Sequence, residues 1–434
     1  MIQIYEQDAS AILPLLAAQL PYSVVLTRRI QHSITYPSPT AKILATFQGS
    51  SPDTPWLAAV VDLFRGREIQ ILVYSSLEAE HTSIIPIIPE VGSTSPDSSA
   101  AQLSLSRLAA SSISTTPGQG QDQNEAKYSV STLTAPPAVL RQTRAQLLAL
   151  LAYVKANLLP EYLSSLSGVP RIGTGTRTGT GTPTSPAKSD IENDVPLIPA
   201  PDPRAFLIGS LHTGLFNLLL DSGVFPAPTD NEGNDIDPVP IAGLRIHRYD
   251  NPPYKKYLFR RSVFTPPKGE SEAVLPPGYR FADRQGRTGV LDSQLDLVQS
   301  RTHIPRSRAQ LSTMPGVAIY YDPPQVRVDE TTEEWPIAWA FLGVEGSLAT
   351  LHVEPEHRGK GLALSLSRET MRRGMADGGV FCAEKAGIED EGLKSAVQGW
   401  THADVAQYNT ASKKVMEKVG GSVVSTVVWT VIED

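Results

Sequence analysis

The run VEPEHRGKGLA, residues 353–363, carries the clearest chemical signal in the chain. An arginine, two glycines and a lysine stand between an apolar run, GSLATLH, and an amphipathic stretch, GLALSLSRETMRRG. A helix that starts directly after a strand presents unpaired N–H groups and the positive end of its dipole, and both attract anions. Gly359 and Gly361 remove side chains that would hold a phosphate away from that backbone, while Arg358 and Lys360 add matching charge. A pyrophosphate is the guest such a loop fits. The other glycine tract, RIGTGTRTGTGT, does not repeat the signal. Gly173 and Gly175 give half of a dinucleotide fingerprint, but position 178 is Thr and no Lys-Ser/Thr pair follows, so the tract reads as a linker or surface loop.

The loop acts only if a sheet and helices hold it. From Gly278 onward, strands YRFAD, GVAIYYD, PIAWAFLG, GSLATLHV, WTHADV and SVVSTVVWTVI are interspersed with helices SQLDLVQSR, SRAQLST, GLALSLSRETMRRG and NTASKKVMEKVG. Hairpins come early and β-α-β crossovers late, a mixed α/β (α+β) order. Upstream, AILPLLAAQL has helical spacing, and AKILATF, WLAAVVDLF and GREIQILVYSSLE read as strands. A long helix over PPAVLRQTRAQLLALLAYVKANLLPEYL puts Leu140, Leu147, Leu148, Leu151 and Val154 on one face, which should dock on the first sheet. AFLIGSLHTGLFNLLLDSG reads as a helix closed by Gly223 and Pro226, followed by strands GLRIHRYD and YKKYLFRRSVF. Ser-, Pro-, Gly- and Thr-rich stretches at 90–127 and 164–200 read as insertions, and TPPKGESEAVLPPG separates an N-terminal unit, 1–265, from a C-terminal one, 278–434.

A chain of 434 residues exceeds what one core normally organises, in keeping with two units. A formal net charge of −7 argues against a general nucleic-acid binder. The lone cysteine, Cys382, provides neither a disulfide framework nor a Cys-rich zinc site; it fits a buried strand position and a reducing, cytoplasmic setting, and no metal is expected. With no apolar run of about 18 residues, no membrane span is expected. The last strand would offer an edge for pairing with a second copy.

The segment Arg358-Gly359-Lys360-Gly361-Leu362-Ala363, preceded by Val353-x-Pro355, resembles the pyrophosphate loop of the GNAT superfamily of acyl-CoA N-acyltransferases. Asn409, Ser412 and Gly420 in NTASKKVMEKVGG match that family's second signature. THADV, LPYSVVLTRRI and WLAAVVDLFRGREIQILVYSSLE further resemble its glycine N-acyltransferase-like branch. The resemblance implies a mixed, splayed central sheet over 278–434, with 1–265 a degenerate partner half. Acetyl-CoA or another acyl-CoA would lie in a V between SLATLHV and WTHADV. Leu351, His352 and Val353 would pair with pantetheine, residues 358–363 would hold the pyrophosphate, and Asn409 and Ser412 would complete the cofactor site. An amine would attack the thioester directly, with the oxyanion stabilised by the N–H of residue 351 or its neighbour.

Two expected groups are replaced. Met416 stands where the family places a tyrosine acid, with Tyr408 the nearest phenol, and Ser347 stands where the branch carries a basic Glu. The remaining groups able to move a proton are His352, His402, Asp404 and Glu345. His402 and Asp404, two apart on one strand, project to one face, while Asp404 could equally cap a helix or pair with a lysine. The expected activity is transfer of an acyl group, in the first place acetyl, to a small-molecule amine; a non-catalytic acyl-CoA-binding protein and a protein N-acetyltransferase are the alternatives.

Overall fold

The computed structural model describes residues 2–49, 52–66, 68–87, 128–167, 202–220, 244–265, 275–302, 304, 306–322, 333–384, 387–388 and 390–434. After β1 (Tyr5–Glu6), helices α1 (Ala9–Ala18) and α2 (Val24–Thr35) lead into β2 (Lys42–Ala45), β3 (Leu57–Val61) and β4 (Ile71–Ser75). These four strands pair antiparallel in chain order. The two-residue period of a strand explains how they are covered. Leu57, Ala59 and Val61 face a core containing Leu147, Leu150 and Leu151, whereas Ala58 and Val60 face Ile12, Leu16, Leu26 and Ile30 of α1 and α2. Helix α3 (Leu77–His81) and an antiparallel pair, β5 (Thr82–Ile87) with β6 (Tyr128–Leu133), precede α4 (Pro137–Tyr153) and α5 (Leu159–Ser167). Pro137 opens α4, as expected for a residue with no N–H to lose. The wider π turn at Val154–Leu158 joins α4 to α5 just before Pro160, which has no N–H for an ordinary helical bond.

The segment expected as a single helix after residue 204 is a strand, β7 (Ala205–His212), followed by the helix α6 (Thr213–Leu220). Periodicity misleads there because β7 is central and apolar on both faces, and a short continuous apolar run fits either element. Gly223, Pro226 and the tracts 90–127 and 168–200 lie outside the described residues, while residues 164–167 continue α5.

Next come β8 (Arg245–Tyr249), β9 (Tyr254–Arg260), β10 (Tyr279–Arg280), α7 (Leu295–Ser300), α8 (Arg308–Thr313), β11 (Gly316–Tyr321), β12 (Ala338–Leu342) and β13 (Leu348–Val353). The chain ends with α9 (Leu362–Gly374), α10 (Glu391–Gln398), β14 (Trp400–Ala406), α11 (Thr410–Val419) and β15 (Ser422–Glu433). Sequence patterning missed α10, whose start is fixed by Asp390 accepting from the Leu393 N–H. Strands β10 to β13 form one antiparallel sheet, and the remaining long strands form another in the order β1-β2-β3-β4-β7-β15-β9-β14.

That order carries the chain's two halves through each other. β9 pairs with β14 on one side and with β15 on the other, and β15 continues on to pair with β7 and β8. The compositional break at 266–274 therefore does not coincide with a break in the sheet. Nor is the last strand an edge. It is flanked on both sides, because residues 422–427 run beside β9 and residues 427–433 beside β7. Cys382 is buried, in a turn rather than in the strand expected. Among the described residues no helix is long and apolar enough to cross a membrane.

Candidate active site

Strands β13 and β14 run parallel and touch at one bridge, Ser347 to His402, beyond which they part. A cavity of about 450 Å³ occupies this V, with Leu348 to His352 on one wall and Ala403 to Ala406 on the other. Within β13 the pairing with β12 slips between Trp339 and Phe341, and Thr350 takes φ +53, a left-handed conformation rare for a β-branched residue. Such a bulge takes a residue out of the ladder and leaves its backbone groups free to meet something else. Leu351 and His352 line the cavity; Val353, paired with Ala338, uses its carbonyl to accept from Arg358 Nε at 2.9 Å.

The loop at the outer end of β13 has the backbone the sequence required. Gly359 and Gly361 sit at φ +76 and +79, and a Cβ built on either meets no atom of the described residues within 4 Å, so both have room beside them. Leu362 is buried and starts α9, with Ala363 next in its first turn. Among the described residues, the N–H groups of residues 359 to 363 donate to no acceptor. Arg358, Gly359, Lys360 and Gly361 are exposed, and Lys360 Nζ donates to Tyr279 Oη at 2.9 Å, which raises the lysine's pKa. These amides, with two flanking cations, suit a diphosphate. Asn409 caps α11 by accepting from the Ser412 N–H at 3.0 Å, and both residues line the cavity beside Met416.

The proton-moving candidates separate. His352 stacks on Trp339 with ring centroids 4.6 Å apart, and its Nε2 lies 3.5 Å from Glu354 Oε2, within ion-pair range but without a hydrogen bond. Burial lowers its pKa, against the pull of Glu354. His402 is fully buried, neither ring nitrogen has a partner among the described residues, and it does not line the cavity. Burial, with Lys256 and Arg28 adding to it, holds His402 well below the usual histidine range. Asp404 does face the cavity, but its Oδ1 lies 3.0 Å from Lys256 Nζ and its Oδ2 accepts from Ser210 Oγ at 2.7 Å. The lysine-pairing alternative is thus the arrangement found. Tyr408 is exposed at the cavity's rim.

Glu345, in the turn at the closed end of the V, faces the cavity and, like Asp250 of the same lining, has no cation within ion-pairing distance among the described residues. Its partner is the Ser347 hydroxyl, which donates to Oε1. Burial alone would raise its pKa, but Arg306, the Ser347 hydrogen bond and His402 outweigh this and keep it below the usual value, hence ionised at neutral pH. Three arginines that sequence patterning did not single out lie close by. Arg29 of α2 and Arg306 line the same cavity, and the stem of Arg28 packs against the turn at Gly346. No local motif announces them, because their position depends on contacts between the two halves. Among the described residues no group of three or more His, Cys, Asp or Glu could hold a metal ion.

Residues 1–257 match the family model described as the acyl-CoA N-acyltransferase verG N-terminal domain. No curated protein matches the chain. Among solved structures, the chain is similar to a Drosophila protein at 10% identity and TM-score 0.44, covering 99% of this chain and 98% of that one. It is also similar to a GNAT-family acetyltransferase from Novosphingobium aromaticivorans at 16% identity and TM-score 0.26, covering 46% of this chain and 72% of that one. An N-acetyltransferase from Kribbella flavida follows at 12% identity and TM-score 0.28, with 53% and 67% covered.

Proposed function

Because the chain belongs to the verG family of acyl-CoA N-acyltransferases, we propose that it moves an acyl group, in the first place acetyl, from CoA to the amine of a small molecule. The observation that carries this reading is the V between β13 and β14, with the cavity-facing carboxylate of Glu345 at its closed end and, after the outer end of β13, amides at 359–363 that find no acceptor among the described residues. Acyl-CoA enters with its pyrophosphate on residues 358–363, Arg358 and Lys360 supplying charge. Its pantetheine follows the edge of Leu351, His352 and Val353, beside Asn409 and Ser412. The thioester then lies toward the closed end, where the bulge at Thr350 and Leu351 frees a backbone N–H for the developing oxyanion.

The acceptor meets it from the other side. Glu345 attracts the ammonium group and takes its proton, the freed amine attacks the carbonyl carbon to form the C–N bond, and as the C–S bond breaks the departing CoA thiolate takes the nitrogen's remaining excess proton and leaves as the thiol. His402, buried against the turn, and Asp404, fixed by Lys256 and Ser210, set the positions of Glu345 and of β14; His352 borders the pantetheine track.

Calorimetric titration of acetyl-CoA into the protein and into Gly361→Glu tests the reading. Position 361 has room beside it, so the variant keeps the fold at a backbone cost of about 1–2 kcal/mol while setting a carboxylate where the pyrophosphate would sit. Binding by the parent and loss in the variant are expected. Absence of binding to both would sink the proposal.

A further inference from the structure

Resting on the transfer reading above, we infer that the acceptor is an amino acid with a bulky apolar side chain: its carboxylate on Arg29, its ammonium on Glu345, its side chain in a second groove built by both halves of the chain. Arg29 is only 5% exposed, lines the cavity, and makes no hydrogen bond and no ion pair among the described residues. Its neighbours are satisfied differently: Arg65 pairs with Glu68 at 2.7 Å, and Arg306 donates to Gln310. A nearly buried guanidinium without a partner is costly, and an anion brought by a ligand is what relieves it. Burial lowers the Arg29 pKa to about 10, which leaves the group charged at neutral pH. Arg29 and Glu345 attract each other electrostatically without touching. A cation and an anion that line one cavity without pairing match the two charges of an amino-acid zwitterion.

The groove supplies the rest. A second cavity of about 780 Å³ shares Arg65, Glu68, Thr302, Ile304, Arg306 and Gln310 with the first, so the two adjoin. Its walls carry Tyr36, Phe64 and Ile304, large apolar side chains left 41%, 40% and 48% exposed. Together they give the acceptor an apolar bed next to the charged pair, entered away from the CoA loop.

The test is acetyl transfer by the full chain, followed through CoA thiol release, with L-phenylalanine, its methyl ester, 2-phenylethylamine and glycine. The expected kcat/KM for phenylalanine exceeds each of the others by about tenfold or more. Arg29→Met should erase the preference for acid over ester, and Tyr36→Ser with Phe64→Ser the preference over glycine, while acetyl-CoA affinity stays within about twofold. Equal use of acid and ester by the parent, or a uniform loss on all four amines in Arg29→Met, overturns the inference. Should Arg29→Met not fold, Arg29→Lys replaces it and should keep part of the acid preference. Titration of L-phenylalanine into the CoA-saturated protein reads acceptor binding without turnover. No heat there, in a protein that binds acetyl-CoA, overturns the acceptor assignment alone; no binding of acetyl-CoA overturns the transfer reading itself.

Discussion

Glu345 and Arg28 meet at one turn yet predict opposite phenotypes. Glu345→Gln keeps the shape and the Ser347 hydrogen bond but removes the charge, so kcat should fall by about 10²–10³ with acetyl-CoA affinity unchanged. Unaltered kcat would remove Glu345 from the proton path. Arg28 is fully buried and donates to the carbonyls of Phe381 at 3.1 Å, Trp400 at 2.6 Å and Val397, besides Gln31 Oε1. It thereby ties α2 to the end of α10 and the start of β14, more than 350 residues away. Arg28→Met takes a donor from three carbonyls, of which that of Phe381 keeps Gln31 Nε2 at 3.3 Å while those of Val397 and Trp400 lose the guanidinium outright, and a loss of about 3–5 kcal/mol in urea unfolding is expected; a loss under about 1 kcal/mol would mean water replaces the guanidinium. The contrast with the phosphate loop shows what a sequence discloses at this scale. Arg358 to Ala363 are legible because strand, glycines and helix are contiguous, whereas Arg28 and Arg29 sit in an ordinary-looking helix and acquire meaning only from what the other half sets beside them: carbonyls for Arg28, the cavity for Arg29.

At the scale of elements, the strands of 278–434 were readable wherever apolar runs were bounded by turns, and so were most of their helices. What sequence could not show is pairing between distant segments. β9 looks like the last strand of the first half and β15 like the last strand of the second, yet β9 separates β14 from β15 in the sheet. Residues 275–434 expressed alone would leave the whole of β14 with a bare edge and β15 without β7, β8 and β9. Neither fragment, 1–265 or 275–434, should be soluble and cooperatively folded alone, while the two produced together should assemble and recover acetyl-CoA binding. A sharp thermal transition from 275–434 by itself would refute this account of the interleaved sheet.

For the whole molecule, the decisive charges are the ones folding buries. His32 and His212 have pKa values lowered to about 4 and about 3, chiefly by burial, and His402 lies well below the usual range for the same reason. Between those values and about 6.5, the unfolded chain binds protons that the folded one does not, so each of the three histidines makes stability rise with pH by up to ~1.4 kcal/mol per pH unit. Glu78 works the other way. Burial raises its pKa to about 8, so from about 4.5 to 8 the folded chain holds a proton that the unfolded one has released, and stability falls with pH by a similar slope. Below pH 6.5 three protons outweigh one and stability climbs; above it the histidines are neutral in both states and Glu78 alone acts. Urea unfolding should therefore show a maximum near pH 6.5, with up to about 3 kcal/mol lost on acidifying by one unit and a gentler decline toward pH 8. His212→Asn, whose amide oxygen can take over the Gly214 N–H, should flatten the acid side, and Glu78→Gln the alkaline side. Stability that keeps climbing to pH 8 would show that Glu78 ionises in the folded chain at little cost, since a raised carboxylate pKa cannot coexist with a rising curve once the histidines have lost their protons.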